Sequence, residues 1–490
     1  MTHILGVSAG FHDAAVSVID HSGRIEFAAH SERYSKLKND PGISPDLLRV
    51  LEQWQFSTVA WYERPWRHNL QRWISGQKQY GAWTATGAVT QHVPGIAGTV
   101  RSWPHHLSHA AAGFQTSPFE SAAVLVIDAI GELETISIYK AWYDHQGRAQ
   151  YRRLWCQHYP HSIGLFYTAI TARLGLRAME DEYVTMGMAA YGNRLMHHYL
   201  GDIFVEDATT ATMKRNLHTG IETHELSWMT DQDIAACAQA ITENMIDFVA
   251  QRARRLTGES DLVYGGGVAL NCMANRHLGR HFDRIWIMPN PGDAGSSLGA
   301  AALALGRRLQ WNNAYLGHVI PGAYPVAVAV DHLLQNGIVG VASGAAEFGP
   351  RALGNRSLLA DPRGLDIRDR VNEIKQRQKF RPFAPVILAE HVDQYFNMPR
   401  SWPRSDYMQI VAGVKRPDLY PGITHVDGTA RVQTVAEDGS GIRAVLESWY
   451  QRTGCPMLLN TSLNVRGEPM VNDIGDARRF QHLYRLPVVS

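Results

Sequence analysis

Cysteine is scarce: Cys156, Cys237, Cys272 and Cys455 are the four in 490 residues, far apart and without CxxC spacing. That excludes a disulfide frame and a zinc knuckle, and reads as buried thiols in a reducing compartment. An excess of one charge is also missing. Lys and Arg total 47 against 46 Asp and Glu, so no global field draws nucleic acid or an acidic membrane. No apolar run reaches the roughly 18 residues of a membrane span. The opening residues lack a basic region, and His12-Asp13 interrupts their apolar stretch, which argues against a signal peptide and for a cytoplasmic protein. Apolar residues, by contrast, make up 45% and charged residues 19%, the balance of a folded globular enzyme. A chain of this length is expected to form two or three domains.

Ile4 to Ser8 reads as a strand that turns at Gly10-Phe11-His12-Asp13, followed by strands over Ala14 to Ile19 and Arg24 to Ala29. Ala122 to Asp128 and Thr135 to Tyr139 repeat this strand–turn–strand opening around Gly131, which suggests two related halves. Thr230 to Leu256 is the clearest helix. Thr230, Asp231 and Asp233 supply its start, Ile234, Ala238, Ile241, Met245, Phe248 and Val249 its apolar face, and Gly258 its end. Leu262 to Tyr264 then runs into Gly265-Gly266-Gly267 and a predicted helix from Val268. Glycines in that position present N–H groups to a phosphate, or allow close helix–strand packing. The pattern loosens from Leu309 to Ala329, which places a boundary between domains over 1–320 and 321–490.

His105 and His109 stand four apart and therefore share one face of a helix, where two imidazoles form a metal-ligand pair. Asp128 ends an apolar run, and a carboxylate leaving a buried strand is where open α/β sheets hold their ligands. Such a nitrogen and oxygen site suits iron, manganese or zinc and can act as a Lewis acid. The competing reading is that the histidines cap a helix and bond to backbone.

Downstream of the boundary, Arg351, Lys375, Arg377, Arg381 and Arg431 stand in segments that are otherwise apolar and turn-forming. Guanidinium forks in such a setting hold phosphates or carboxylates, while a surface salt bridge is the alternative for any one of them. Asn460, Ser462 and Asn464 alternate at the end of a strand over Pro456 to Leu459, so their polar groups converge on one face. A site this rich in donors suits a nucleotide triphosphate or an acyl phosphate.

Taken in order, these motifs resemble those of the NodU/CmcH O-carbamoyltransferase family. The resemblance covers nearly the whole chain, through Gly6 to Asp13, Glu32-Arg33-Tyr34, His105 to Ala110, Val126 to Asp128, Pro160 to Gly164, Tyr183 to Gly187, Gly266 to Asn271 and Gly292 to Gly295. The motifs around the downstream arginines complete it. It implies a mixed α/β fold, with an N-terminal actin/sugar-kinase-like domain of threonylcarbamoyl-transferase type and a C-terminal YrdC-like domain. It implies a metal site of His105, His109, Asp128 and Asp293, with Fe(II) expected and Mn or Zn as alternatives. Lys375-Gln-Arg377 and Ser462-Leu-Asn464 match the KxR and SxN nucleotide motifs of the YrdC fold. The cofactor-binding set is then Arg351, Lys375, Arg377, Arg381, Arg431, Asn460, Ser462 and Asn464, with Gly266, Gly267 and Asn271. The second domain is expected to make carbamoyl adenylate from carbamoyl phosphate and ATP with Mg, and the first to pass the carbamoyl group to an acceptor hydroxyl. His12, beside Asp13 in the first glycine turn, is the candidate base, and a structural histidine bonded to Asp13 is the alternative. Two departures stand out: Ala129-Ile130-Gly131-Glu132 replaces a common Gly-Val-Gly-Glu run, and the tail after Met470 is short.

The resemblance leaves the acceptor open. Between Ala60 and Trp103, Trp61, Tyr62, Arg64, Trp66, Arg67, Arg72, Trp73, Lys78, Tyr80, Trp83 and Arg101 interleave, with Glu63 the only acid. Such a mixture stacks on bases and neutralises phosphates. A hydroxymethylated pyrimidine such as 5-hydroxymethylcytosine, free or in DNA, therefore stands beside a small-molecule natural product or sugar as acceptor. A lid whose tryptophans pack on the core is the alternative. The balanced net charge favours the small molecule. Threonylcarbamoylation of tRNA and a nucleotide-binding regulator without transfer activity are the remaining readings. A homodimer without a membrane partner is expected.

Overall fold

The computed structural model describes residues 2–74, 76 and 81–490. They divide into two compact units, one spanning Met1–Ser35 and Asn39–Asn313, the other Lys36–Lys38 and Ala314–Ser490.

The first unit contains two five-stranded sheets of the same design. In the first sheet, β1 (Thr2–Ser8), β2 (Ala15–Ile19) and β3 (Ile25–His30) form an antiparallel meander. Two further strands, β4 (Gln55–Trp61) and β5 (Thr99–Ser102), continue the sheet in parallel on the other side of β1, giving the order β3-β2-β1-β4-β5. The second sheet repeats this with β6 (Ser121–Gly131), β7 (Glu134–Tyr143) and β8 (Ala149–His158) as the meander, and β9 (Asp261–Gly265) and β10 (Arg284–Trp286) in parallel beside β6. The two strand–turn–strand openings of the sequence thus head two equivalent sheets. Ala122 to Ile127 on β6 are wholly buried, as expected of a central strand covered on both faces.

Five helices of this unit bear on the site: α1 (Pro65–Ile74), α2 (His105–Phe114), α3 (Ile163–Arg173), α4 (Asp231–Thr257) and α5 (Ser296–Leu305). Helix α4 begins as its sequence predicts, with the Thr230 hydroxyl accepting from Asp233 N–H at 3.2 Å, and ends at Gly258 with φ 70°. Helix α2 packs Ala110 and Phe114 against Val124, Val126 and Val263 of β6 and β9. Its other neighbour, α5, comes within backbone contact, because a Cβ on Gly299 would lie 1.8 Å from the Ser108 carbonyl oxygen. The helix predicted from Val268 is a 3-10 turn over Gly267–Leu270 and a single turn over Cys272–Asn275. Asn271 breaks it by capping the second turn with its own side chain, Oδ1 accepting from Ala274 N–H at 3.1 Å.

The second unit is built on a mixed six-stranded sheet of β11 (Ile338–Ala342), β12 (Arg356–Ala360), β13 (Ala384–Leu388), β14 (Gln433–Val435), β15 (Met457–Ser462) and β16 (Val488–Val489), in the order β14-β13-β15-β12-β11-β16. Leu358, Leu359, Val386, Ile387, Leu458 and Leu459 make its core with Trp449 from α7 (Gly441–Thr453), which follows α6 (Ile367–Ile374). Arg356 is wholly buried on β12, and its guanidinium donates to the carbonyls of Ser343, Gly344, Asn355, His318 and Asn472. Hydrogen bonds on this scale are what make a buried charge tolerable.

All four cysteines are free; Cys237, Cys272 and Cys455 are buried, whereas Cys156, on the meander's outer strand β8, is half-buried. Among the described residues no helix is long and apolar enough to cross a membrane.

Candidate active site

His105 and His109 do share one face of α2, one turn apart. Asp128 stands opposite them within β6, which runs on to Gly131, at the point where its pairing with β7 shifts register between Ile127 and Gly131. His105 Nε2 and His109 Nε2 are 3.0 Å apart and lie 3.1 and 3.2 Å from Asp128 Oδ2. Asp293, from the turn before α5, brings Oδ1 to 3.3 Å from both imidazole nitrogens. The four ligand atoms all lie within 4.8 Å of one another. Ligands about 2.1 Å from a shared cation stand roughly 3.0 to 3.4 Å apart, so two nitrogens and two carboxylate oxygens at this spacing fit a divalent metal.

Backbone geometry aims these groups. Asp128 Oδ1 accepts from Ala129 N–H at 2.9 Å and Gly267 N–H at 3.2 Å, which leaves Oδ2 to the histidines. Gly266 reaches this position at φ 87°, where a Cβ would lie 2.2 Å from the Ile127 carbonyl oxygen. Gly266 and Gly267 therefore belong to the histidine–aspartate cluster, and close packing is the reason for glycine. Asn271 lies among buried polar groups, exchanging hydrogen bonds of 3.0 and 3.1 Å with Gln239. At the start of α2, Pro104 offers no cap, and the Glu132 carboxylate takes the His105 N–H instead, at 3.2 Å. A Cβ on Gly131 would strike the rings of His105 and His106 at 2.5 and 2.6 Å, so the glycine that this run keeps in common with Gly-Val-Gly-Glu is the one that packs on the cluster. His106 turns away and bonds Ser137 Oγ through Nδ1 at 2.8 Å.

The charges in the cluster stabilise one another. Burial favours neutral carboxyls, yet the two histidines hold Asp128 and Asp293 well below the ordinary carboxylate range. Burial likewise opposes a charged His105, and Asp293, Asp128 and Glu63 outweigh it, raising the imidazole well above its usual value. His12 is raised to about 9, because hydrogen bonding to Asp13 and the charges of Asp293 and Asp128 overcome its burial. Its Nδ1 lies 3.2 Å from Asp13 Oδ2 and its Nε2 3.8 Å from Asp293 Oδ2. Both readings of His12 are thus present together: it is bonded to Asp13 and it faces the cluster.

In the second unit, Lys375 is buried at 4% exposure, and its ammonium donates to Ser462 Oγ at 3.1 Å and to the carbonyl and Oδ1 of Asn464, each at 2.9 Å. Burial, then Arg377 and Arg381, push Lys375 well below the usual lysine range. Arg377 bonds Asn372 Oδ1 at 2.8 Å, and its guanidinium lies 4.2 Å from the Phe383 ring centroid. Arg351, Arg381 and Arg431 are half-buried. Asn460 turns inward instead, donating to Ala352 O at 3.1 Å and Gln433 Oε1 at 2.7 Å. Gln433 donates to Leu353 O at 3.0 Å, and Glu347 Oε1 accepts from the N–H groups of Leu353, Asn355 and Arg356 at 2.8, 2.9 and 3.2 Å. Asn460, Gln433 and Glu347 therefore hold the loop that carries Arg351. Sequence reasoning assigned no role to Gln433, Glu132 or Ser296, whose partners come from distant segments, nor to Glu347, which gathers N–H groups of its own loop.

The basic and aromatic segment divides in two. Trp61 and Tyr62 are buried, with the Tyr62 ring centroid 5.2 Å from that of His105. Trp66, Trp73 and Trp83 are exposed at 51%, 67% and 56%, so they do not pack as a core-covering lid. Arg67 is taken up by Glu132 at 3.1 Å. Lys78 and Tyr80 lie outside the described residues.

Residues 68–302 match the family model for the carbamoyltransferase N-terminus, and residues 330–489 match that for the carbamoyltransferase C-terminus. An uncharacterized protein of Synechocystis sp. is 32% identical over 98% of this chain and 94% of its own length. Nodulation protein NolNO of Sinorhizobium fredii is 34% identical over 76% of this chain and 60% of its own length. The 3'-hydroxymethylcephem-O-carbamoyltransferase of Amycolatopsis lactamdurans is 31% identical, with 62% of each chain covered.

Proposed function

The chain belongs to the carbamoyltransferase family, and from that premise we propose that it moves a carbamoyl group from carbamoyl phosphate, through carbamoyl adenylate, to the hydroxyl of a small-molecule natural product or sugar. The observation that carries this reading is the presence in one chain of two clusters of opposite chemistry. One is the histidine–aspartate group in the first unit, and the other is the Lys375, Ser462 and Asn464 group in the second. The activating step falls to residues 321–490, a YrdC-like domain in this reading, and the transfer step to residues 1–320.

Water first releases inorganic phosphate from carbamoyl phosphate. The carbamate so formed is a poor electrophile until its oxygen attacks the α-phosphorus of ATP, expelling pyrophosphate, and AMP is then the leaving group when the acceptor hydroxyl attacks. Lys375, Arg377 and Arg381 supply the positive field that the phosphates of ATP require, and Arg351 reaches the same ligand from the loop held by Glu347 and Asn460. A divalent metal on His105, His109, Asp128 and Asp293, Fe(II) before Mn or Zn, would supply Lewis acidity at the carbamoyl carbonyl. His12 is the group placed to take the proton of the attacking hydroxyl. Asp13 leads the carboxylates that raise it to about 9; of the others, Asp293 and Asp128 are those a cation would neutralise, which lowers the ring towards its neutral, proton-accepting form.

The test is mass spectrometry on protein given ATP, carbamoyl phosphate and a panel of hydroxylated acceptors. A gain of about 43 Da on one acceptor supports the whole reading, since one carbamoyl group replaces one hydrogen. Pyrophosphate or carbamoyl adenylate alone supports the activating half. Neither product overturns the reading in favour of a regulator.

A second acceptor class, a hydroxymethylated pyrimidine in DNA, is favoured by one observation. Trp66 and Trp73 are seven apart on α1, so both exposed rings project from one face of a helix whose first turn adjoins the His105 wall. Exposed aromatic rings beside Arg64 and Arg72 suit base stacking. Retardation of hydroxymethylated DNA at low salt, lost in a Trp66→Ala, Trp73→Ala double variant, is the expected result; no retardation removes this class.

A further inference from the structure

Glu63, the only acid in its long basic and aromatic segment, is 7% exposed and stands two residues before α1. Its Oε2 lies 2.9 Å from His68 Nδ1 and 3.7 Å from His105 Nδ1. That second nitrogen is buried and has no hydrogen-bond partner among the described residues. The opposite nitrogen of the same ring, Nε2, faces Asp128 and Asp293. An imidazole that binds a cation offers a lone pair at one nitrogen and carries its proton on the other. The acceptor opposite that proton decides which nitrogen is which, and a carboxylate there also makes the ring a stronger donor.

The backbone keeps Glu63 in this place. Glu132 Oε1 accepts both from Arg64 N–H, the next residue after Glu63, at 2.8 Å and from His105 N–H at 3.2 Å. One carboxylate oxygen therefore pins the main chain of the acid's neighbour to the main chain of the ligand. His109 has a neutral counterpart: Ser296 Oγ, from the first turn of α5, lies 3.1 Å from His109 Nδ1.

We propose that Glu63 is the positioning residue for His105, and Ser296 for His109, fixing both rings with Nε2 toward the cluster so that the pair receives a divalent cation. The inference rests on the metal reading above and extends it to groups that never touch the metal. A charged partner both orients and strengthens its ligand, whereas a hydroxyl only orients, so Glu63 is the more important of the two. If Glu63 served merely as an ion-pair partner of His68, its replacement would leave the cluster unchanged.

The test is Co(II) binding to the metal-free full chain in competition with a chromophoric chelator, with the visible Co(II) absorption recorded and thermal melting of the metal-free protein as a folding control. Expected is loss of binding in His105→Ala, and binding about 10- to 100-fold weaker with shifted absorption bands in Glu63→Gln. Ser296→Ala should lose less than Glu63→Gln, and Glu63→Asp, which keeps the charge, should recover part of the affinity. Wild-type affinity and unchanged bands in folded Glu63→Gln, with binding lost in His105→Ala, overturn the positioning role alone. Wild-type binding in His105→Ala overturns the metal reading, and the positioning role with it. Should Glu63→Gln melt early, Glu63→Asp decides: unchanged affinity and bands in that shortened variant overturn the proposal, and a shift in both supports it.

Discussion

The two clusters are opposite in charge and are held by opposite means. In the first unit, two carboxylates face two histidines, and the main chain does the aiming: Ala129 and Gly267 N–H groups orient Asp128, and Gly266 lets the strands close behind it. In the second unit, Lys375 stands near Arg377 and Arg381, and its ammonium donates to hydroxyl, amide and carbonyl oxygens, which are neutral. Side chains there hold the neighbouring loop, through Asn460, Gln433 and Glu347. The lesson is that a formal net charge of +1 conceals two local fields of opposite sign. A cation suits one and a phosphate the other, and the whole-chain balance bears on neither.

The largest effects test whether the clusters serve separate steps. His109→Ala should lower carbamoyl transfer by about three orders of magnitude, the scale of losing electrostatic stabilisation at a reacting carbonyl. It should leave carbamoyl-phosphate-dependent exchange of pyrophosphate into ATP within about twofold, because no activating group has been touched. Arg381→Ala should abolish the exchange itself, and transfer should be restored when preformed carbamoyl adenylate is supplied. A variant that loses both activities while still folded breaks the comparison.

The next effect concerns how each site is held. In Gly266→Ala a methyl group would enter a backbone at φ 87° and meet the Ile127 carbonyl oxygen 2.2 Å away. Neither side of that contact is a flexible side chain, so strain and overpacking add, at a cost of about 3 kcal/mol. Urea unfolding should show this as a lower midpoint in the first transition, with metal binding weakened alongside. An unchanged midpoint would mean that the glycines serve a ligand and not the packing behind Asp128.

What could be read in advance follows the range of each interaction. The His105 and His109 pair depends on helix spacing alone, and Asp128 on the end of an apolar run, so both were legible from local residues. Asp293 carried no such local signal and was visible only through family resemblance. Glu132 and Ser296 act on residues far away in sequence, and nothing in their neighbourhood announces it. Glu63 did leave a trace, as a lone acid in a basic stretch, yet its partner His105 could not be guessed from that. The duplicated sheets were foreshadowed by two similar hairpin openings, but β8 was not, because its Gln150, Arg152, Arg153 and Gln157 give no apolar pattern. Polar residues were the hardest to read: Asn271 and Asn460, expected as ligand contacts, make a cap and loop bonds in the structure, and neither bond could be foreseen from the motif.

Asn460 gives the smallest and sharpest test of that last point. It is 1% exposed, and its amide nitrogen serves Ala352 O and Gln433 Oε1, while its own Oδ1 has no partner among the described residues. Asn460→Ala removes one donor from two buried acceptors and sacrifices nothing at Oδ1. Gln433 still holds Leu353, and Glu347 still gathers three N–H groups of the loop. The cost should therefore stay near the low end for a buried unsatisfied group, about 1 kcal/mol. Asn460→Asp should be worse than Ala, because a carboxylate would point its oxygens at both acceptors without a proton to offer. Should Gln433 turn its amide to meet that carboxylate, it would release Leu353 O. The kinetic signature follows from the same bonds: a loosened Arg351 loop raises the KM for ATP several-fold and leaves kcat of adenylate formation nearly unchanged. If Asn460 instead contacts the nucleotide as the motif led one to expect, kcat falls by orders of magnitude, stability hardly moves, and Ala and Asp rank by their charge toward phosphate and not by the loop.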